Sequence, residues 1–279
     1  MSLSKRVTSL VGQSGEVATG LSDYLDRLPP AEWVEPSDCH GWTIAAVVGH
    51  LILVEALISS SVRRGLGGDS SPPPEAAAGV EAWREYRSRE IARLSAETPP
   101  ELLARYQDGL GTIQEALDDL AASDADTRQG WHPSGLKSLP WFAGQWMVEI
   151  ALHDWDIRVS RDSAAEVNPA ALPSLGAEMR ARMSQCFKPR SRLDSSGAVR
   201  IELGGPAPLA WVARLADEQL GLLEDGAAQS DATIRTDPGA YALVQTARRP
   251  AKVFEQQGRW RVDGDVRLAN RLAASFTGY

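Results

Sequence analysis

Up to about Arg161 the apolar positions follow a helical period, and beyond it the chain turns to short alternating runs. Residues 7–28 carry Leu10, Val11, Val17, Leu21, Tyr24 and Leu25 at helical spacing and are stopped by Pro29-Pro30, which predicts a first helix. Ile44, Val47, Leu51, Val54 and Ile58 form a second stripe behind Thr43, a residue suited to N-capping; this helix is expected to end near Arg63-Arg64-Gly65. The stretch 67–78, with Ser70-Ser71-Pro72-Pro73-Pro74, predicts a loop or extended linker. Residues 80–94 and 100–120 read as a helix pair, or as one helix broken near Pro99-Pro100, with Trp83, Tyr86, Leu94, Leu103, Tyr106, Ile113 and Leu117 inward. The charges from Arg84 to Glu90 read as a solvated helix face. After an aperiodic stretch, 123–139, Pro140 opens a run to Arg158 that no Pro or Gly interrupts beyond Gly144, so a helix of about five turns is expected. Four helices by this count make an up-down bundle.

Asn168-Pro169 marks a plausible boundary, followed by an expected helix over 171–187 and a polar, turn-rich connection over 188–196. Residues 198–203 and 231–236 alternate as strands do, and 209–215, 220–223 and 260–262 are further strand candidates. Asp237-Pro238 starts a helix expected to end near Arg248-Arg249-Pro250, and residues 266–276 form a closing helix. The fold class is therefore α+β with two domains: a helical bundle over 1–163 and a smaller α+β unit over 164–279, the latter either a packing or dimerisation module or a contributor to the chemistry.

Composition narrows the function. A chain of 279 residues, 43% hydrophobic, can bury two modest cores. Its 29 basic and 37 acidic residues leave a net charge of −8, which argues against nucleic acid or an anionic membrane as the main partner. The two cysteines, Cys39 and Cys186, suit a reducing compartment and offer neither a disulfide framework nor a Cys-rich metal site. The N-terminal residues do not read as a signal peptide, and the apolar run 44–58, interrupted by Gly49, His50 and Glu55, reads as too short to span a bilayer; a cytoplasmic location is expected.

The candidate chemistry lies on the two most apolar helices. Glu149 and His153 are four apart, so they leave one helix face together, and Phe142 and Trp146 on that face point it inward. Alone, the pair is explained by a helical Glu-His hydrogen bond, and His50 beside the second stripe by a satisfied core histidine. Jointly, two His and one Glu from packed helices make an open three-ligand metal site, and this becomes the better reading. Asp156, one turn beyond His153, orients the ligands from behind or serves as a helix cap or salt-bridge partner. His40 is an exposed loop histidine or an extra ligand. Trp131 and His132, in the loop before the last bundle helix, are candidates for substrate contact.

Trp42-Thr43 at a helix start, Val48-Gly49-His50-Leu51 after it, and Glu149-x-x-x-His153-x-x-Asp156-x-Arg158 downstream resemble the DinB-like metalloenzymes, and within them the mycothiol-dependent maleylpyruvate isomerase family. The resemblance covers nearly the whole chain, the last hundred or so residues resembling sterol-carrier-protein-like domains. It implies a divalent metal, zinc, on His50, Glu149 and His153, mycothiol as thiol cosubstrate, and a small electrophilic substrate. It also implies an arginine from the C-terminal domain acting at the metal cleft, for which Arg248 and Arg249 are the matching positions; without the resemblance they read as complements to a helix dipole. The loops at 67–78 and 123–139 and the segment 254–261 depart from the shorter isomerases of the family, which places S-transfer to a small electrophile ahead of cis-trans isomerisation. Metal-dependent hydrolysis and a non-catalytic metal- or small-molecule-binding module are the alternatives. The chain is expected to act as a monomer or homodimer.

Overall fold

In the computed structural model, residues 3–125, 127–189, 196–216, 219–226 and 229–278 are described. The chain divides into two compact units, Met1–Ala171 and Leu172–Tyr279. Residues 164–171 pack with the first unit, where the Trp155 indole N–H donates to the carbonyl of Ala165 at 3.0 Å.

Among the described residues the first unit is built on five α-helices. Helix α1 (Leu3–Asp26) buries Val7, Leu10, Val17, Leu21 and Leu25 and ends ahead of Pro29, after which Pro30–Val34 makes a short 3-10 turn. Helix α2 (Ile44–Leu66) starts as its sequence predicts, with the Thr43 hydroxyl accepting the Ala46 N–H at 3.1 Å. It continues without a break through His50 and Glu55, so it is 23 residues long and apolar enough to cross a membrane by length and hydropathy. The expectation that this run is too short is corrected. The helix instead carries apolar residues on most of its faces because it is enclosed, with 72% of its most apolar window buried within the protein.

Helices α3 (Val80–Leu94) and α4 (Pro99–Ala121) are separate, as the first of the two expected readings has it. Thr98 and Glu101 close a capping box at the start of α4, the Thr98 N–H donating to Glu101 at 3.0 Å. A two-stranded antiparallel ribbon, β1 (Gln129–Gly130) with β2 (Lys137–Ser138), leads into helix α5 (Leu139–Val159). Round the bundle the order is α1, α4, α2, α5, so α2 and α5 are neighbours while the consecutive pairs α1/α2 and α4/α5 stand at opposite corners. Helix α3 is a fifth helix laid against α2. The ribbon reaches α2 at Gly65, where an added Cβ would come within 2.5 Å of Leu139 and 2.8 Å of the Gln129 carbonyl. Absence of a side chain there is what lets the ribbon dock.

The second unit is a five-stranded sheet with helices. Its strands are β3 (Gly197–Leu203), β4 (Leu209–Ala216), β5 (Gln219–Glu224), β6 (Ala232–Thr236) and β7 (Trp260–Gly264), in the spatial order β5-β4-β3-β6-β7. Among the described residues only the β3–β6 pair is parallel; the other neighbours are antiparallel. Val199, Ile201, Leu203, Trp211, Ala213, Leu215 and Ile234 point into its core. The helix expected over 171–187 is two helices, α6 (Leu172–Ala181) and α7 (Met183–Cys186), interrupted at Arg182, whose guanidinium is fully buried and paired with Glu178 at 2.7 Å. Most of the connection expected over 188–196 lies outside the described residues. Helix α8 (Pro238–Gln245) is capped by Asp237, which accepts the Ala240 N–H at 2.9 Å; α9 (Ala251–Gln256) was not anticipated, and α10 (Val266–Ala274) closes the chain's regular structure. The α+β two-domain class is as the sequence predicts.

Candidate metal centre

His50 leaves α2, and Glu149 and His153 leave α5 one turn apart; because α2 and α5 are neighbours, the three side chains converge. Nε2 of His50 lies 3.3 Å from Oε2 of Glu149, and Nε2 of His153 lies 3.4 Å from the same oxygen. The histidine rings meet edge to face with centroids 4.9 Å apart, and the half-buried indole of Trp42 lies against both, at 5.1 Å from His50 and 6.5 Å from His153. Two donors each about 2.0–2.1 Å from one tetrahedral ion stand about 3.4 Å apart. The three donor atoms, all within 4.8 Å of one another, therefore fit a divalent cation with at least one coordination position left over.

Neighbouring side chains hold these donors in place. The second oxygen of Glu149 accepts a hydrogen bond from the Gln145 amide at 2.6 Å, one turn back along α5. Asp156, wholly buried, lies 2.8 Å from Nδ1 of His153, an arrangement that assigns the proton to Nδ1 and leaves the Nε2 lone pair directed at the centre. Burial lowers the pKa of His50, against the opposing hydrogen bond to Glu149, and the Arg87 guanidinium on α3 pushes in the same direction. Burial by itself would raise the pKa of Glu149, but the His153 and His50 rings against it outweigh burial and hold the carboxyl well below its usual range. A neutral imidazole and an ionised carboxylate are the forms a cation requires.

The other candidates fall elsewhere. Trp131 and His132 are in the turn of the β1–β2 ribbon: the Ser61 hydroxyl donates to the Trp131 carbonyl at 2.7 Å, Trp131 packs edge-on to Trp83, and His132 packs against Trp141 at 4.8 Å. Trp141 precedes Glu149 by two helical turns, or about 12 Å along the axis. His40 is exposed and belongs to neither group of convergent donors. In the second unit, Arg248 and Arg249 lie beyond α8 rather than in its last turn; their amides both donate to the Leu243 carbonyl, after Ala247 turns the chain with φ of 58°. Sequence reasoning missed Gln145, whose i, i+4 spacing to Glu149 was available as a signal, and Cys39, whose place beside His153 and Asp156 depends on a loop fold that no spacing reveals.

Comparison with known proteins agrees with this architecture. Residues 15–158 match the family described as the mycothiol maleylpyruvate isomerase N-terminal domain, and residues 186–277 match the SCP-2 sterol transfer family. Among solved structures the chain is similar to a histidine-to-alanine mutant of the mycothiol-dependent maleylpyruvate isomerase, with a TM-score of 0.61 at 16% identity over 95% of each chain. A second structure of that isomerase gives a TM-score of 0.59 at 17% identity, covering 89% of this chain and 90% of the other. No curated protein matches.

Proposed function

Starting from the fact that the chain belongs to the mycothiol maleylpyruvate isomerase N-terminal domain family, we propose that it is a metal- and thiol-dependent isomerase of a small, electrophilic cis-unsaturated acid of the maleylpyruvate type. The observation that carries this reading is the convergence of His50 Nε2, Glu149 Oε2 and His153 Nε2. Those three atoms would hold the cation, zinc in this proposal; when bound, it lowers the pKa of a coordinated thiol so that a thiolate is present near neutral pH. Asp156 keeps the His153 proton on Nδ1, Gln145 fixes the Glu149 carboxylate, and the indole of Trp42 shields the histidines from water. Mycothiol is the proposed thiol. Addition of a thiolate to a conjugated cis double bond, rotation about the resulting single bond and expulsion of the same thiolate leave the trans isomer and return the thiol unchanged.

Isomerisation now stands ahead of S-transfer. The transfer reading drew on three segments that depart from the shorter isomerases of the family, yet the isomerase fold covers 95% of this chain and 95% of its own, which leaves little room for large insertions. In the second unit we assign Arg248 and Arg249 to the substrate or thiol carboxylate, a bidentate grip suited to holding an electrophile in line. A reducing, cytoplasmic setting suits the two free cysteines.

The test is turnover of maleylpyruvate by purified protein with and without mycothiol, with products identified by mass spectrometry. The proposal expects a trans product of unchanged mass and no reaction without thiol. A retained thioether product would return the assignment to S-transfer, and full activity without thiol would identify a hydrolase-type use of the centre.

A further inference from the structure

A second group of donors stands behind the first. Cys39, His153 and Asp156 each direct one ligand atom to a common region, all within 4.8 Å of one another. His153 belongs to both groups, and its ring has two nitrogens. Nε2 faces Glu149 at 3.4 Å, whereas Nδ1 faces Asp156 at 2.8 Å. The thiol is held in register by the loop that carries it. The Asp38 N–H donates to the Asp156 carbonyl at 3.0 Å, the Cys39 N–H donates to Ser37 Oγ at 3.1 Å, and the Trp42 N–H returns to the Cys39 carbonyl at 2.9 Å. Asp156 and His153 are buried while Cys39 is half-buried, so the group has a closed side and an open side.

We propose that Cys39, His153 and Asp156 form a second metal site, selective for a soft, thiophilic divalent cation such as cadmium, which shares the His153 imidazole with the first. One thiolate, one imidazole nitrogen and one carboxylate oxygen are a donor set that favours a soft ion over magnesium or calcium, and the open side leaves a position for water. Binding releases the thiol proton of Cys39 and requires the Nδ1 lone pair. The Nδ1 proton must therefore leave that nitrogen: it moves to Nε2 if the first site is empty, or is lost to solvent if Nε2 is already coordinated. Two cations sharing one imidazole ring stand close enough to repel each other, so occupancy of either site weakens the other. A soft cation bound at Cys39 also takes Asp156 away from its hydrogen bond to His153, and thereby loosens the first site.

Cadmium titration of the purified full-length protein, followed by the ultraviolet thiolate-to-cadmium charge-transfer band, tests this. The first site contains no sulfur, so the band reports Cys39; Cys186 is fully buried and outside the group, and Cys186→Ala should leave the band unchanged. Wild type should reach one cadmium-thiolate band per chain. Cys39→Ser should abolish it, Asp156→Asn should weaken cadmium at least about tenfold, and His50→Ala, which empties only the first site, should tighten it by about tenfold or more relative to the zinc-loaded protein. A band that survives in Cys39→Ser, or that is indifferent to both Asp156→Asn and His153→Ala, overturns the site. The result is independent of the proposed reaction: a Cys39-dependent band in a protein without thiol-dependent turnover would leave this site standing and remove the isomerase reading.

Discussion

Nδ1 of His153 lies 2.8 Å from a carboxylate oxygen of Asp156, three residues further along α5 and wholly buried. A carboxylate oxygen accepts, so the contact favours the ring proton on Nδ1 and leaves Nε2 facing Glu149. Asp156→Asn preserves size and removes the charge, so the ring loses its anchor without a cavity being made. Partners of this kind are worth about 10–100-fold in metal affinity. Chelator competition should therefore show zinc held at least about tenfold more weakly in Asp156→Asn, with an unchanged circular dichroism spectrum. Equal affinity would reduce Asp156 to a packing residue.

Arg248 and Arg249 follow a residue in the left-handed region, Ala247 at φ of 58°, which costs about 1–2 kcal/mol for a side chain larger than glycine. The amides of both arginines close back on the Leu243 carbonyl, so the backbone under the pair is fixed. If a guanidinium here grips a carboxylate during turnover, Arg248→Ala or Arg249→Ala should lower kcat/KM by at least about tenfold, roughly 1.4 kcal/mol of barrier, with metal content unchanged. Kinetics unaltered in both single variants and in the double variant would confine the chemistry to the helical unit.

Much of the helical unit was legible because its signals are local. Thr43 caps α2, Pro29-Pro30 follows the end of α1, and the four-residue interval between Glu149 and His153 places them on one face whatever the rest of the chain does. The ribbon 129–138 was not legible. Its strands are two residues each and exist because Gly65 lets them press against α2, a tertiary cause with no periodicity of its own. The break at Arg182 has no local signal, since arginine is a good helix former and its i, i+4 pair with Glu178 is itself compatible with a helix. Cys39 was dismissed by counting cysteines, a rule that detects sulfur-rich sites and overlooks a mixed one. The charges at 84–90 read as a solvated face, and Arg87 is indeed exposed, yet its field reaches His50.

Glu55, five residues beyond His50, is buried to 1% exposure, and among the described residues neither of its carboxylate oxygens has a hydrogen-bond partner. It sits against Gly109 of α4, where an added Cβ would overlap the carboxylate. Burial raises its pKa well above the ordinary 4.5. Above that pH the unfolded chain releases a proton that the folded chain retains, so this residue makes stability fall as pH rises, until the folded-state value is passed. Glu55→Met removes the group at similar length. Urea unfolding from about pH 5 to about pH 9 should show a shallower decline in the variant and about 1–3 kcal/mol more stability at the alkaline end. Parallel curves would mean that Glu55 is not protonated in the folded protein.

His50, Glu149 and His153 are expected to hold one divalent cation between them. Elemental analysis of the purified protein decides it, made in wild type and in a Cys39→Ser background so that the thiol site contributes nothing. We expect about one equivalent of a divalent transition metal per chain in both, and less than about a tenth of that after His50→Ala or His153→Ala in proteins that remain folded. Metal content unchanged by either substitution would contradict the account.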